Sequence, residues 1–316
     1  MGIAYSAYSE GFPPKPHFDP GRDIPDLKGQ VMIVTGGYAG IGHHTVQALL
    51  NKGAKVYIAG RSKDKAQKAI EQLKQETGGK EALFLELDLA DLKSVQKAAA
   101  EFVRLEPKLH VLFNNGGVMT PPVEQITADG YDLQFGTNVL GHFYLTKLLL
   151  PTLLATAKTT STGKVRVVNT SSIAHRFGDL DFGTFKEGPA RKKAYTSQLY
   201  AQSKFGNAVF SRELAKRYGD QGIVSTALNP GNLRTELQRH SSSPIEQLMF
   251  RLVCYEPHYG ALTQLWAGTA EETVKYNGDF LIPWARLGAV KPKAKDEKLG
   301  ADLWTWLEEQ VKDVGQ

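Results

Sequence analysis

The sequence predicts an α/β fold, a doubly wound parallel sheet with helices on both faces, built as a single domain with a small substrate lid. Three observations predict it. Apolar runs of strand length alternate with helix-length amphipathic stretches from residue 31 onward. The runs end in polar and glycine residues, as strands do when their carboxyl ends face a ligand. The first of those ends, Thr35-Gly36-Gly37-Tyr38-Ala39-Gly40-Ile41-Gly42, is a glycine turn that opens a helix.

Each element follows in order. Val31 to Val34 is a buried strand, and the helix after Gly42 carries Val46, Leu49 and Leu50 on one face before Gly53. Val56 to Ala59 is the second strand, and Ser62 caps a helix rich in lysine and glutamine. Residues 82–87 form the third strand, ending at Asp88, and Asp91 caps the next helix. His110 to Phe113 is the fourth strand, ending at Asn114-Asn115-Gly116-Gly117. A long helix over residues 131–157 contains Asn138, and Val165 to Val168 then leads into Asn169-Thr170-Ser171-Ser172. Residues 173–195 read as loop, followed by a helix with Tyr200 and Lys204. The sixth strand runs from Ile223 to Leu228, and a short last strand lies near residues 279–282. Between them, Ser243-Pro244-Ile245-Glu246 forms a capping box before an apolar helix with Met249, Phe250 and Leu252. That stretch suits a lid of about residues 232–256 or a segment packed on the core. Residues 296–314 close the chain as an amphipathic helix.

Composition limits the function classes. The 316 residues are 41% hydrophobic and 22% charged, enough for a large core. The net charge of +5 is interspersed, and no aromatic stripe accompanies it, so a nucleic-acid partner is not expected. The cluster Arg191-Lys192-Lys193 reads as a solvated loop. Cys254 is the sole cysteine, which rules out an intrachain disulfide and a cysteine-rich zinc site. His43, His44 and His175 lack metal-ligand spacing, so no metal is expected and they read as structural or substrate-lining. Residues 1–28 form a polar arm with five prolines and no secretory pattern. Met1-Gly2-Ile3-Ala4-Tyr5-Ser6 fits an N-myristoylation pattern without a polybasic neighbour. No apolar run reaches the ~20 residues of a transmembrane segment. A cytoplasmic location is expected.

Two constellations carry chemistry. In the glycine turn, Gly36 allows a tight bend, Gly40 lets backbone approach a pyrophosphate, and Gly42 lets helix and strand pack closely. Helix-terminal N–H groups would face the anion. The second strand ends at Gly60-Arg61 with no carboxylate for ribose hydroxyls. Arg61, with Lys65 one turn later, favours a 2′-phosphate, hence NADP(H). Asp88 could meet the adenine or cap the following helix. The other constellation is Tyr200 and Lys204, four apart on one helical face. A cation beside a phenol favours the phenolate and brings its proton into play.

Taken together, Thr35-Gly36, Gly40-Ile41-Gly42, Asp88-Leu89, Asn114-Asn115-Gly116-Gly117, Asn138-Val139, Ser171-Ser172, Tyr200, Lys204 and Pro230-Gly231 resemble the short-chain dehydrogenase/reductase family, in its order, over roughly residues 30–285. Arg61 and the stretch from Val168 to His175 are most similar to its retinol-dehydrogenase-like branch. The resemblance implies a Rossmann-type fold and an NADP(H)-dependent oxidoreductase. It implies Tyr200 as proton donor, Lys204 as its tuner and ribose ligand, Ser172 as hydrogen-bond donor to the substrate oxygen, and Asn138 as holder of a relay water. It places Ile41, Asn115, Leu233 and Thr235 at the cofactor. Tyr38 departs from the smaller or basic residue usual in the turn. The expected reaction is reduction of a ketone or aldehyde of an apolar or aromatic small molecule, with His175 and Phe177 near the substrate. Oxidation of a lipid, retinoid or sterol alcohol and a non-catalytic NADP(H) sensor are the alternatives. The resemblance also allows a homodimer, which the long carboxyl-terminal part could obstruct.

Overall fold

The computed structural model describes residues 8–234 and 254–315. In chain order the elements are β1 (Val31–Thr35), α1 (Gly40–Asn51), β2 (Lys55–Gly60), α2 (Lys63–Glu76), β3 (Leu83–Glu86), α3 (Leu92–Leu105), β4 (Val111–Asn114), α4 (Gly141–Ala157), β5 (Val165–Thr170), α5 (Thr196–Tyr218), β6 (Ile223–Leu228), α6 (Pro257–Thr269), β7 (Phe280–Ile282), β8 (Arg286–Leu287) and α7 (Glu297–Val311). The strands form one sheet in the order β3-β2-β1-β4-β5-β6-β7-β8. All neighbours are parallel except β7 and β8. The sequence gives no sign of β8, a two-residue edge strand too short for a periodic signal.

Alternation along the strands divides the core between the two faces. Val31 and Ile33 of β1 pack with Phe102 of α3, Phe143 of α4, Phe210 of α5 and Leu303 of α7. Met32 and Val34 pack with Val46 of α1, Leu73 of α2 and Leu265 of α6. This is the doubly wound arrangement the sequence predicts, a Rossmann-like α/β fold. Strand order reverses between β1 and β4, which opens a crevice at their carboxyl ends. Caps set the entry of several helices. Ser62 Oγ accepts from the Lys65 N–H, and Asp91 Oδ1 accepts from the N–H groups of Lys93 and Ser94.

Three local readings are revised. The helix expected over 131–157 begins as Leu133–Phe135 and passes through a π turn at Gly136–Leu140 before α4. The stretch Leu133–Ala157 is also long and apolar enough to cross a membrane by length and composition, but 72% of the window is buried inside the molecule. It is a core helix. Arg191 is not a solvated loop residue. It is 1% exposed in the short helix Pro189–Lys193, with Nε 3.1 Å from Asp132 Oδ2. Its neighbours Lys192 and Lys193 are exposed as expected. The myristoylation pattern, the capping box at Ser243, and Met249, Phe250 and Leu252 lie outside the described residues.

Candidate active site

The crevice at the strand ends is a cleft of about 370 Å³. The glycine turn, Arg61, Lys65, Asp88, Asn115 and Thr137 are among its walls. Gly36 and Gly40 hold positive φ angles of 65° and 52°, which favour glycine. A Cβ on Gly42 would lie 2.4 Å from the Gly36 carbonyl oxygen, so only glycine lets α1 close on the turn. The first turn of α1 has neither a side-chain cap nor an acidic residue. Its N–H groups therefore suit an anion. A glycine cradle, an uncapped helix terminus and flanking cations fit the diphosphate of a dinucleotide cofactor.

The other predicted residues around the cleft take specific places. Asn115 lines it but turns its amide to the Thr35 carbonyl at 2.8 Å, fastening β4 to the glycine turn. Asp88 does not cap α3. Its Oδ1 accepts from the Ala90 N–H at 2.9 Å, and Asp91 is the cap. Leu233 is buried beside Ile41 and Gly260, where a Cβ on Gly260 would lie 2.2 Å from Leu233 Cδ1. Thr235 lies outside the described residues. Gly60 is covered by Tyr38 of the glycine turn: a Cβ there would lie 2.3 Å from its ring.

Tyr200 and Lys204 stand on α5, facing the end of β5. Ser172 faces the Tyr200 phenol and works against its rise in pKa. Ser171 instead turns its hydroxyl to the Lys204 carbonyl at 2.6 Å. Lys204 is buried and donates Nζ to the Thr170 carbonyl at 3.0 Å, with Nζ 5.7 Å from the Tyr200 ring centre. Burial brings the Lys204 ammonium down to about 8. Spacing alone predicts that Lys204 lowers the phenol. Here burial dominates and pushes Tyr200 up to about 12, with only Ser172 pulling downward. The phenol is thus neutral at pH 7, the form that can give a proton.

Asn138 sits in the π turn, fully buried. Its Oδ1 accepts from the Val118 N–H at 2.9 Å, and its Nδ2 donates to the Val118 carbonyl and Ser203 Oγ, each at 3.0 Å. The side chain therefore braces the segment after β4 against α5. Its carbonyl oxygen faces His142 Nδ1 at 3.0 Å. Sequence reasoning missed His142 and Thr35 as site residues. Thr35 Oγ1 accepts from the N–H groups of Asn115 and Gly116 at 2.9 and 2.8 Å, and lies 2.9 Å from His142 Nε2. The four-residue spacing from Asn138 to His142 was the available signal. Of its two readings, structural or substrate-lining, His175 takes the structural one. It is fully buried, its ring tilted against Phe280 with centroids 4.2 Å apart, and its Nδ1 lies 2.7 Å from the Ser172 carbonyl oxygen. Phe177 is 76% exposed.

A glycine-lined cleft at the sheet's switch point, beside a buried lysine and a tyrosine–serine pair, defines a nucleotide-binding oxidoreductase architecture. Comparison with known proteins gives the family. The short chain dehydrogenase family model matches residues 30–185. A short-chain dehydrogenase/reductase of Armillaria gallica is 56% identical, covering 99% of this chain and 100% of that protein. The chain belongs to the short-chain dehydrogenase/reductase family. Within it the chain falls in the retinol-dehydrogenase-like branch: human retinol dehydrogenase 12 is 38% identical over 88% of this chain and 85% of that protein. Among solved structures, an uncharacterised Mycobacterium paratuberculosis protein superposes with a TM-score of 0.73 at 29% identity, covering 93% of this chain and 97% of that one. The Pseudomonas aeruginosa RhlG complex with NADP shares the fold at a TM-score of 0.66 and 23% identity, covering 82% and 95%.

Proposed function

We propose that this protein uses NADPH to reduce a ketone or aldehyde of an apolar or aromatic small molecule to an alcohol. The observation that carries the reading is the neutral Tyr200 phenol beside buried Lys204, whose Nζ lies 5.7 Å from its ring at the end of the cleft-forming sheet. Bound cofactor supplies the hydride. The chain's own residues do the rest. Ser172 donates a hydrogen bond to the substrate oxygen, and Tyr200 gives that oxygen its proton as negative charge develops. Lys204 keeps a positive charge within reach of the phenolate left behind, and Asn138 holds the segment bearing Val118 in place. Arg61 and Lys65, at the cleft edge where Gly60 offers no carboxylate, support a cofactor with a 2′-phosphate. The likeness to a retinol dehydrogenase supports an apolar substrate, and the same residues run backward would oxidise an apolar alcohol. A cytoplasmic setting completes the reading, since the sole cysteine, Cys254, asks for no oxidising compartment.

The test is NADPH consumption with a panel of aldehydes and ketones, repeated on Tyr200→Phe. Turnover should fall by about two orders of magnitude or more in the variant while NADPH binding persists. Tight NADPH binding without turnover of any carbonyl or alcohol would favour a sensor instead.

A further inference from the structure

We propose that the amino-terminal arm is a working part of the substrate site, with Glu10 as a positioning residue that braces its two loops. This rests on the oxidoreductase reading of the site. Glu10 is fully buried, and its two oxygens go to different loops. Oε1 accepts from Arg176 Nε at 2.9 Å and from the same guanidinium's Nη2. Oε2 accepts from Asn229 Nδ2 at 3.0 Å.

The two partners sit in the loops that matter. Arg176 ends the turn Ile173–Arg176, which begins at Ser172 and which the Ser172 hydroxyl caps. Asn229 follows β6 directly, and its Oδ1 accepts from the Gly231 N–H at 3.0 Å, folding the Pro230-Gly231 turn. One carboxyl group therefore ties the loop that carries the substrate's hydrogen-bond donor to the loop leading into Leu233, which the resemblance places at the cofactor. The arm is itself anchored. Arg286 donates to the Ser9 carbonyl at 2.8 Å and to its hydroxyl at 3.0 Å. Gly11 then passes close to Asn232, with its Cβ position 3.9 Å from Nδ2, at the root of the segment read as a lid.

A cover that only excluded water would be cheaper as an apolar side chain, because a buried carboxylate must recover its lost hydration through hydrogen bonds. Bonds from a guanidinium fork and an amide are directional, and they hold two backbones in one relative position. Small displacements of a reacting group lower rate steeply, so the brace acts on catalysis through Ser172.

The experiment uses the full chain with Glu10→Ala, Glu10→Gln, Arg176→Ala and the Glu10→Ala/Arg176→Ala double variant. Steady-state constants are taken with the best carbonyl of the panel, well below each variant's Tm, beside NADPH Kd. Glu10→Ala should lose about tenfold or more in kcat/KM for the carbonyl, with KM raised. NADPH Kd should stay within about twofold, because the glycine turn is untouched. Glu10→Gln should lose less in the same direction, and the double variant no more than the worse single, as expected of one shared contact. A lowered Tm with wild-type kcat/KM, or equal losses for carbonyl and NADPH, would overturn the proposal. Hydrogen exchange gives a readout independent of turnover: Glu10→Ala should speed exchange in both 173–177 and 229–231. If only one loop responds, or neither, the brace is wrong. If the wild-type chain reduces no carbonyl, the reductase reading fails, while exchange still decides the brace.

Discussion

His142 and Thr35 meet inside the protein with Nε2 2.9 Å from Oγ1, and this contact joins the glycine turn to the π turn carrying Asn138. A carbonyl oxygen only accepts, so the hydrogen toward Asn138 sits on Nδ1. Nε2 is then left to accept from the Thr35 hydroxyl, whose own lone pairs face the Asn115 and Gly116 N–H groups. His142→Phe keeps the ring volume but leaves the Asn138 carbonyl without this partner and the Thr35 hydroxyl with only the Phe113 carbonyl, 3.3 Å away, to donate to. We expect a loss of about 1–3 kcal/mol in urea unfolding. An unchanged midpoint would mean the contact contributes nothing to the fold.

Acid should destabilise the protein before its carboxylates titrate. Burial brings both His142 and His175 from 6.5 down to about 4. Between those values the unfolded chain binds protons that the folded chain does not, so stability rises with pH through this window and is lost as pH falls through it. The loss should be on the order of 2 kcal/mol per histidine at pH 5. Denaturant midpoints at pH 7, 6 and 5 measure it, and a flat profile over that range would contradict the burial argument.

Arg191 should matter far more than its place in a basic cluster suggests. It pairs with Asp132, which caps the start of the Leu133–Phe135 turn through the N–H groups of Gln134 and Phe135. Burial already raises the Asp132 carboxyl despite that partner. Arg191→Ala leaves a buried carboxylate unpaired and should cost about 3 kcal/mol or more. Lys192→Ala next door should cost roughly nothing, since its bridge to Glu187 is exposed. Similar midpoints for the two variants would show that the buried pair is not needed.

Cofactor choice turns on the end of β2. Arg61→Ala should weaken NADPH by about tenfold or more and NADH far less, as loss of a charge-assisted contact does. An equal loss for both would remove Arg61 from 2′-phosphate recognition. Placing a carboxylate there by Gly60→Asp should not by itself yield NADH preference, because its Cβ would lie 2.3 Å from the Tyr38 ring. The pair Gly60→Asp/Tyr38→Ala should accept it. NADH and NADPH titrations of the three variants decide the matter.

Much of the site is legible in the sequence alone. Gly36, Gly40 and Gly42 follow from local spacing, and Ser172, Tyr200 and Lys204 from motif order and a helical interval. The electrostatic outcome was not legible. Spacing brings Lys204 near Tyr200, but how far burial raises the phenol depends on what closes over it. Asn138 could likewise be placed on a helix, but not within a π turn whose side-chain bonds go to Val118 and Ser203.

The sequence by itself determined the alternation of strand and helix, the glycine turn and the helical tyrosine–lysine pair, because periodicity, turn chemistry and spacing act over a few residues. The tertiary structure decided which charges would be buried together. Glu10 meets Arg176 across 166 positions, and Arg191 meets Asp132 across 59. Such pairs leave no local trace. Either partner alone reads as an ordinary surface charge, and only the closed fold removes water from both and makes each the other's solvent.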